Sequence, residues 1–128
     1  MLTEPKVKKL IRDSVEEDLG PQDLTTDAIV HKGTPASADI LAREDLVLDG
    51  IEVAREVFLY VDPRVSFSPR FPDGSPVRKG ERIAGIEGEA SAILKAERVA
   101  LNFLQHLSVA ATITSAFVKQ VQDLPVKI

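Results

Sequence analysis

The sequence predicts an α+β fold, and three observations carry that prediction. Residues 4–19 and, much further on, residues 90–121 repeat apolar side chains at helical spacing. Residues 36–42 and 46–48 read as strands, and residues 65–68 and 82–88 alternate apolar with polar as half-buried strands do. Pro72-Asp73-Gly74 and Lys79-Gly80 punctuate that middle region with turn residues. The expected arrangement is an N-terminal helix, a barrel-sandwich-like β-sheet domain and then long helices.

The elements follow in order. In the first helix Val7, Leu10, Ile11 and Val15 share a face. Thr3 can cap it, Pro5 suits its first turn, and Gly20-Pro21 stops it. Glu16, Glu17 and Asp18 crowd its C-terminal end, where the helix dipole disfavours acids. Either a solvated tip or a basic surface of a partner chain accounts for them. Residues 20–30 read as a turn and a short helix, with Thr26 as its cap. Gly33-Thr34-Pro35 opens the β region. Residues 51–59 form a helix with Ile51, Ala54, Val57 and Phe58 on one side, ended by Asp62-Pro63. The long helical stretch begins near Ala90 or Ser91, is expected to break around residues 108–111 and continue from Thr112 to Val121, and is closed by Asp123-Leu124-Pro125. Val126-Lys127-Ile128 then look like the start of a strand.

A chain of 128 residues supports one domain, or one domain and the start of another. Hydrophobic content of 44% and charged content of 28% read as globular and soluble. A net charge of −4 lacks the basic footprint of a nucleic-acid or membrane surface. The absence of cysteine excludes disulfide and thiolate chemistry. The N-terminus has no signal-peptide core, and no apolar run is expected to reach transmembrane length. A cytoplasmic protein is the resulting expectation.

The stretch from Glu97 to Ser108 is apolar almost all round yet carries Arg98. Ile93, Ala96, Ala100, Phe103, Leu104 and Leu107 fall on one face, and Leu94, Val99 and Leu101 flank it. A helix of this kind is expected to be buried on several sides. An arginine there must be paired or must serve an anion, because a buried unpaired charge is very costly. Glu97, Glu89 or a carboxylate of another chain would satisfy a purely structural arginine.

Three segments resemble the N-terminal part of the quinolinate phosphoribosyltransferase (carboxylating nicotinate-nucleotide pyrophosphorylase) family. They are Glu17-Asp18-Leu19-Gly20-Pro21-Gln22-Asp23-Leu24-Thr25-Thr26, Ala42-Arg43-Glu44-Asp45 with Gly50-Ile51-Glu52-Val53-Ala54, and Ala96-Glu97-Arg98 through Asn102-Phe103-Leu104 and His106-Leu107-Ser108 to Ala111-Thr112. Together they span nearly the whole chain. Val109 stands where the family pattern has glycine. The resemblance implies residues 1–112 as the N-terminal α+β domain and residues 113–128 as the start of a truncated α/β barrel. A full barrel needs about 200 residues or more. It implies that Arg98 reaches the active site of a neighbouring subunit and binds substrate carboxylate there. A guanidinium suits that role, since its planar fork meets a carboxylate with two parallel hydrogen bonds. It further implies a homodimer or higher homo-oligomer. The complete protein would transfer phosphoribosyl from phosphoribosyl pyrophosphate to quinolinate with Mg²⁺, giving nicotinate mononucleotide, pyrophosphate and carbon dioxide. The catalytic residues would lie in the barrel, outside this chain.

Other residues carry weaker signals. Asn102 and His106 lie one turn apart and could support the site, but without a third ligand they are a poor metal pair. His31 is read as an exposed loop residue. Asp23 with Asp27 and Glu44 with Asp45 suit turns, caps or surface better than acid–base work. Glycines 74, 80, 85 and 88 are spread through the β region and make no phosphate-cradling loop. The Asp73-Gly74 to Ile83 pattern is also similar to biotinyl and lipoyl carrier domains, although no carrier motif surrounds Lys79. A non-catalytic carrier or assembly module, and a paralogous phosphoribosyltransferase with another acceptor, are the alternatives.

Overall fold

The structure, a computed structural model, describes residues 5–19 and 33–122. Helix α1 spans Pro5–Leu19, strand β1 Pro35–Leu41, β2 Leu46–Val47 and helix α2 Ile51–Val61. Strands β3 (Ser66–Pro69), β4 (Pro76–Val77) and β5 (Arg82–Glu89) follow, and helix α3 runs over Ala90–Gln122. The expected short helix, the Thr3 and Thr26 caps, Asp23, Asp27, His31 and the terminal strand all fall outside the described residues.

The strands form two small antiparallel sheets, one ordered β1-β5-β3 and the other β2-β4. In the larger sheet Ala38 lies opposite Ile86, and Phe67 lies opposite Ile86 on its other side. The two-residue β4 follows the Pro72-Asp73-Gly74 turn and was not legible as a strand. A strand that short has no period to read. Gly74 and Gly80 adopt φ of 90° and 89°, as their turns require, whereas Gly85 and Gly88 lie within β5.

The core lies between the sheets and the helices. Phe58, Leu48, Ile51, Val15, Val57 and Val77 are its largest fully enclosed side chains among the described residues, and the Phe58 and Phe67 rings stand 5.7 Å apart. Helix α1 contributes Ile11 and Val15, while Leu10 is 57% exposed. Leu10 therefore leaves the apolar face expected for it, which Ile11 and Val15 suffice to cover.

The break expected near residues 108–111 is absent, and α3 continues through all 33 residues. Ser108 and Thr112 weaken helix propensity, but each hydroxyl also accepts a tertiary backbone amide, and Thr112 donates to the carbonyl one turn back, as a helical threonine can. By length and mean hydropathy α3 also reaches the size of a membrane span, contrary to expectation. Those two properties alone are weak evidence. Its first five turns hold core positions such as Ile93, Ala100 and Leu104 against protein.

Candidate functional site

Helix α3 begins without a loop, because Ala90 follows directly on the last residue of β5. The Ala90 amide donates to Thr34 O at 2.7 Å. The Ser91 hydroxyl donates to Glu89 Oε1 at 2.7 Å. Asp62, at the C-terminal cap of α2, receives the Arg64 Nε and Nη2 hydrogens at 3.0 and 3.1 Å. Arg64 Nη2 also lies 3.6 Å from Glu89 Oε2. These four side chains tie the end of α2 to the start of α3.

The Arg64 hydrogen bonds, side chain first and then backbone, hold the Asp62 carboxyl below its ordinary pKa. The Ser91 hydroxyl and then the Gly33 amide do the same for Glu89. A carboxylate with a lowered folded pKa stabilises the fold fully above its unfolded pKa, and this contribution is lost as pH falls through the folded value. Acid unfolding followed by circular dichroism should therefore set in below about pH 4. The Asp62→Asn/Glu89→Gln variant should show a flatter pH dependence. An identical acid slope in both proteins would mean that neither carboxylate contributes.

Further along α3 the buried stripe is built from Ala92, Ile93, Ala96, Val99, Ala100 and Leu104. Around Ser108 the contacts become directional. Ser108 Oγ accepts from the Asp49 amide at 3.0 Å and donates to Asp49 O at 3.1 Å. Thr112 Oγ1 accepts from the Val47 amide at 2.9 Å and donates back to Ser108 O at 2.7 Å. Leu107 packs on Gly50, whose φ is +91°. Gly50 offers no side chain to cap α2, and Asp73 Oδ1 takes the Ile51 amide instead at 2.8 Å. Thus Gly50-Ile51 and Leu107-Ser108, two of the resemblance segments, meet in space.

Arg98 lies on the opposite side of α3 from the buried stripe and is exposed. The burial argument that first singled it out is therefore corrected: the helix is buried on one side only. Asn102 and His106 are exposed as well, and neither makes a side-chain hydrogen bond among the described residues. Phe103 and Leu107 are half-buried and Leu104 is buried, so these three serve the chain's own core. The exposed apolar residues of α3 are Leu94, Val109, Ile113, Phe117 and Val118. Beside α3 an open, mostly apolar groove of about 900 Å³ runs between Ile40, Ile86 and Leu101, with Arg43 and Glu97 at its rim.

Asp45 and the backbone of the turn at Lys79 take structural roles. Asp45 Oδ1 accepts from the Lys79 amide at 2.8 Å, and the Gly80 amide donates to Ala42 O. The Lys79 turn is thus stitched to the preceding strand region and is not a free carrier tip. Among the described residues no group of three or more His, Asp or Glu side chains is placed to hold a metal. The Asp62–Arg64–Glu89–Ser91 cluster and the Ser108–Thr112 contacts were missed in the sequence. Two hydroxyl residues at i and i+4 on an apolar helix were the available signal for the second.

The profile described as quinolinate phosphoribosyl transferase, N-terminal domain, matches residues 23–108. The chain belongs to this family. A probable carboxylating nicotinate-nucleotide pyrophosphorylase of Bacillus subtilis is 36% identical over 123 residues, covering 96% of this chain and 42% of the relative. Its counterpart in Methanothermobacter thermautotrophicus is 36% identical over 111 residues, covering 87% of this chain and 39% of the relative. The crystal structure of NadC from Streptococcus pyogenes superposes with a TM-score of 0.91 at 35% identity, covering 99% of this chain and 45% of that one. This chain therefore spans about a third to two-fifths of the length of the relatives it matches, and it shares the α+β architecture of the solved structure.

Proposed function

We propose that this chain is the N-terminal part of an enzyme that transfers phosphoribosyl from phosphoribosyl pyrophosphate to quinolinate in NAD biosynthesis. The observation that carries the reading is the exposed Arg98 on the outer side of α3, within a chain that aligns to about a third to two-fifths of the length of enzymes named for this reaction. An exposed guanidinium on a fixed helix can serve a carboxylate brought by another subunit. Arg98 would grip one carboxylate of quinolinate in trans, with Asn102 and His106 one and two turns further on as support. Mg²⁺ would come with phosphoribosyl pyrophosphate, where it would neutralise the diphosphate leaving group. We place the change of domain after Thr112, the last α3 side chain tethered to the sheets. We also infer a cytoplasmic location, although some plant relatives are named as mitochondrial or chloroplastic. The paralogue with another acceptor is the competing reading, because the acceptor pocket would lie mostly outside this chain.

The test joins this chain to the remainder of the Bacillus subtilis relative in place of its own N-terminal part. The chimera should form nicotinate mononucleotide from quinolinate and phosphoribosyl pyrophosphate with Mg²⁺. The chain by itself should form none. A folded but inactive chimera, or steady turnover by the chain alone, would each overturn the proposal.

Self-association is the second expectation, and the structure moves its basis. Val109, Ile113 and Phe117 recur every four residues on α3 and are 48%, 66% and 64% exposed. An apolar row of that kind marks an interface. Sedimentation velocity should show a dimer or larger species growing with concentration, and Ile113→Glu/Phe117→Glu should abolish it. A parent chain that stays monomeric at high concentration contradicts the expectation.

A further inference from the structure

Helix α3 is held against the sheets in two different ways. Between Ala92 and Ala100 its buried stripe consists mostly of small side chains. Small residues let backbones approach closely, but they give little resistance to rolling or sliding. Hydrogen bonds are directional and do resist it. The clasp at the helix start depends on Arg64, whose side chain is 81% exposed, so solvent weakens it. The contacts at Ser108 are enclosed, with only 4% of that residue exposed. They bind both the amide and the carbonyl of Asp49, and Thr112 adds the Val47 amide one turn on.

We propose that Ser108 and Thr112 are positioning residues that set the roll and axial register of α3, and so decide where the Arg98 guanidinium points. This rests on the role proposed above for Arg98. The geometry makes the coupling strong. Ser108 is ten residues beyond Arg98, about 15 Å along a rigid helix. One residue of slip would turn Arg98 by about 100° around the axis. Leu107 on Gly50 blocks sliding in that direction, because the space beside the Gly50 backbone is already filled.

The chain contains no cysteine, so a pair of spin labels can be placed cleanly. Labels at Arg98→Cys on α3 and Arg55→Cys on the exposed side of α2 report the roll directly. The parent should give one narrow distance population. Ser108→Ala/Thr112→Val should broaden it or add a second population with helix content retained, and Thr112→Ser should keep the narrow one. If the double variant does not fold, Thr112→Val alone, which leaves the Ser108 contacts intact, should broaden it. A narrow, unshifted population in the folded hydroxyl-deleted variants overturns the proposal. In the chimera the same variant should raise KM for quinolinate roughly tenfold or more and leave KM for phosphoribosyl pyrophosphate within about twofold. A changed label distance with an unchanged quinolinate KM would refute the role of Arg98 and leave the positioning intact. An unchanged distance would refute the positioning whatever Arg98 does.

Discussion

Arg98→Ala in the chimera should weaken quinolinate binding by about ten- to a hundredfold and leave phosphoribosyl pyrophosphate binding nearly unchanged. A charge-assisted, two-pronged contact is worth roughly 1.5–3 kcal/mol, which converts to that range. Arg98→Lys should recover only part of the loss, because an ammonium keeps the charge but not the planar fork. The demanding form of the experiment mixes Arg98→Ala chimera with a second inactive chimera altered in the barrel. If Arg98 serves the neighbouring subunit, each mixed dimer has one site with both lesions and one with neither. Random exchange makes about half the dimers mixed, so roughly a quarter of the parent activity should return. A mixture that stays as inactive as its components after verified exchange would show that Arg98 does not act across the boundary. The exposed position of Arg98 on the outer side of α3 is what puts its guanidinium within reach of a neighbouring subunit.

Gly50→Ala, at a buried position just before α2, should destabilise the protein by about 2–5 kcal/mol. Two costs combine. The φ of +91° costs a residue with a Cβ about 1–2 kcal/mol. The new Cβ would also stand 2.6 Å from Leu107 Cδ1 and 3.3 Å from Leu107 Cβ, and such overpacking adds about 1–3 kcal/mol. Thermal unfolding should shift down by roughly 10 °C for a chain of this size. Leu107→Ala in the same protein should relieve the crowding and leave the backbone cost. The pair of changes should therefore be less damaging than their sum. A Gly50→Ala variant within about 0.5 kcal/mol of the parent would mean that the Asp49-Gly50 connection is free to move away from α3.

The chain's periodicities were legible where they were long and amphipathic. Helix α2 was expected over residues 51–59 and spans Ile51–Val61, with the four named residues buried. Strands β1, β3 and β5 lie within a residue or so of their expected bounds. Strand β4 escaped because its two residues carry no pattern, whereas the equally short β2 was expected at residues 46–48. The continuity of α3 across residues 108–111 escaped for another reason: Ser108 weakens helix propensity until its hydroxyl is seen to hold Asp49, with Thr112 holding Val47 one turn on.

Arg98 marks the same division at the candidate site. The local sequence identified the residue, because an arginine in an apolar helix with Ala96-Glu97 before it and Asn102-Phe103-Leu104 after it is distinctive. It could not say which way the arginine faces. A helix rich in apolar residues on every side has no single period, so its roll about its own axis is undetermined by composition. Only the packing of Ala96, Ala100 and Leu104 against the sheets, and the hydrogen bonds from Ser108 and Thr112, select one roll. The sequence alone determined the element types, the turn glycines and the family pattern, since these depend on neighbours a few residues apart. The tertiary structure decided that Arg98 faces outward, that Phe103 and Leu107 turn inward, and that Gly50 meets Leu107, because each depends on contacts between residues far apart in the chain.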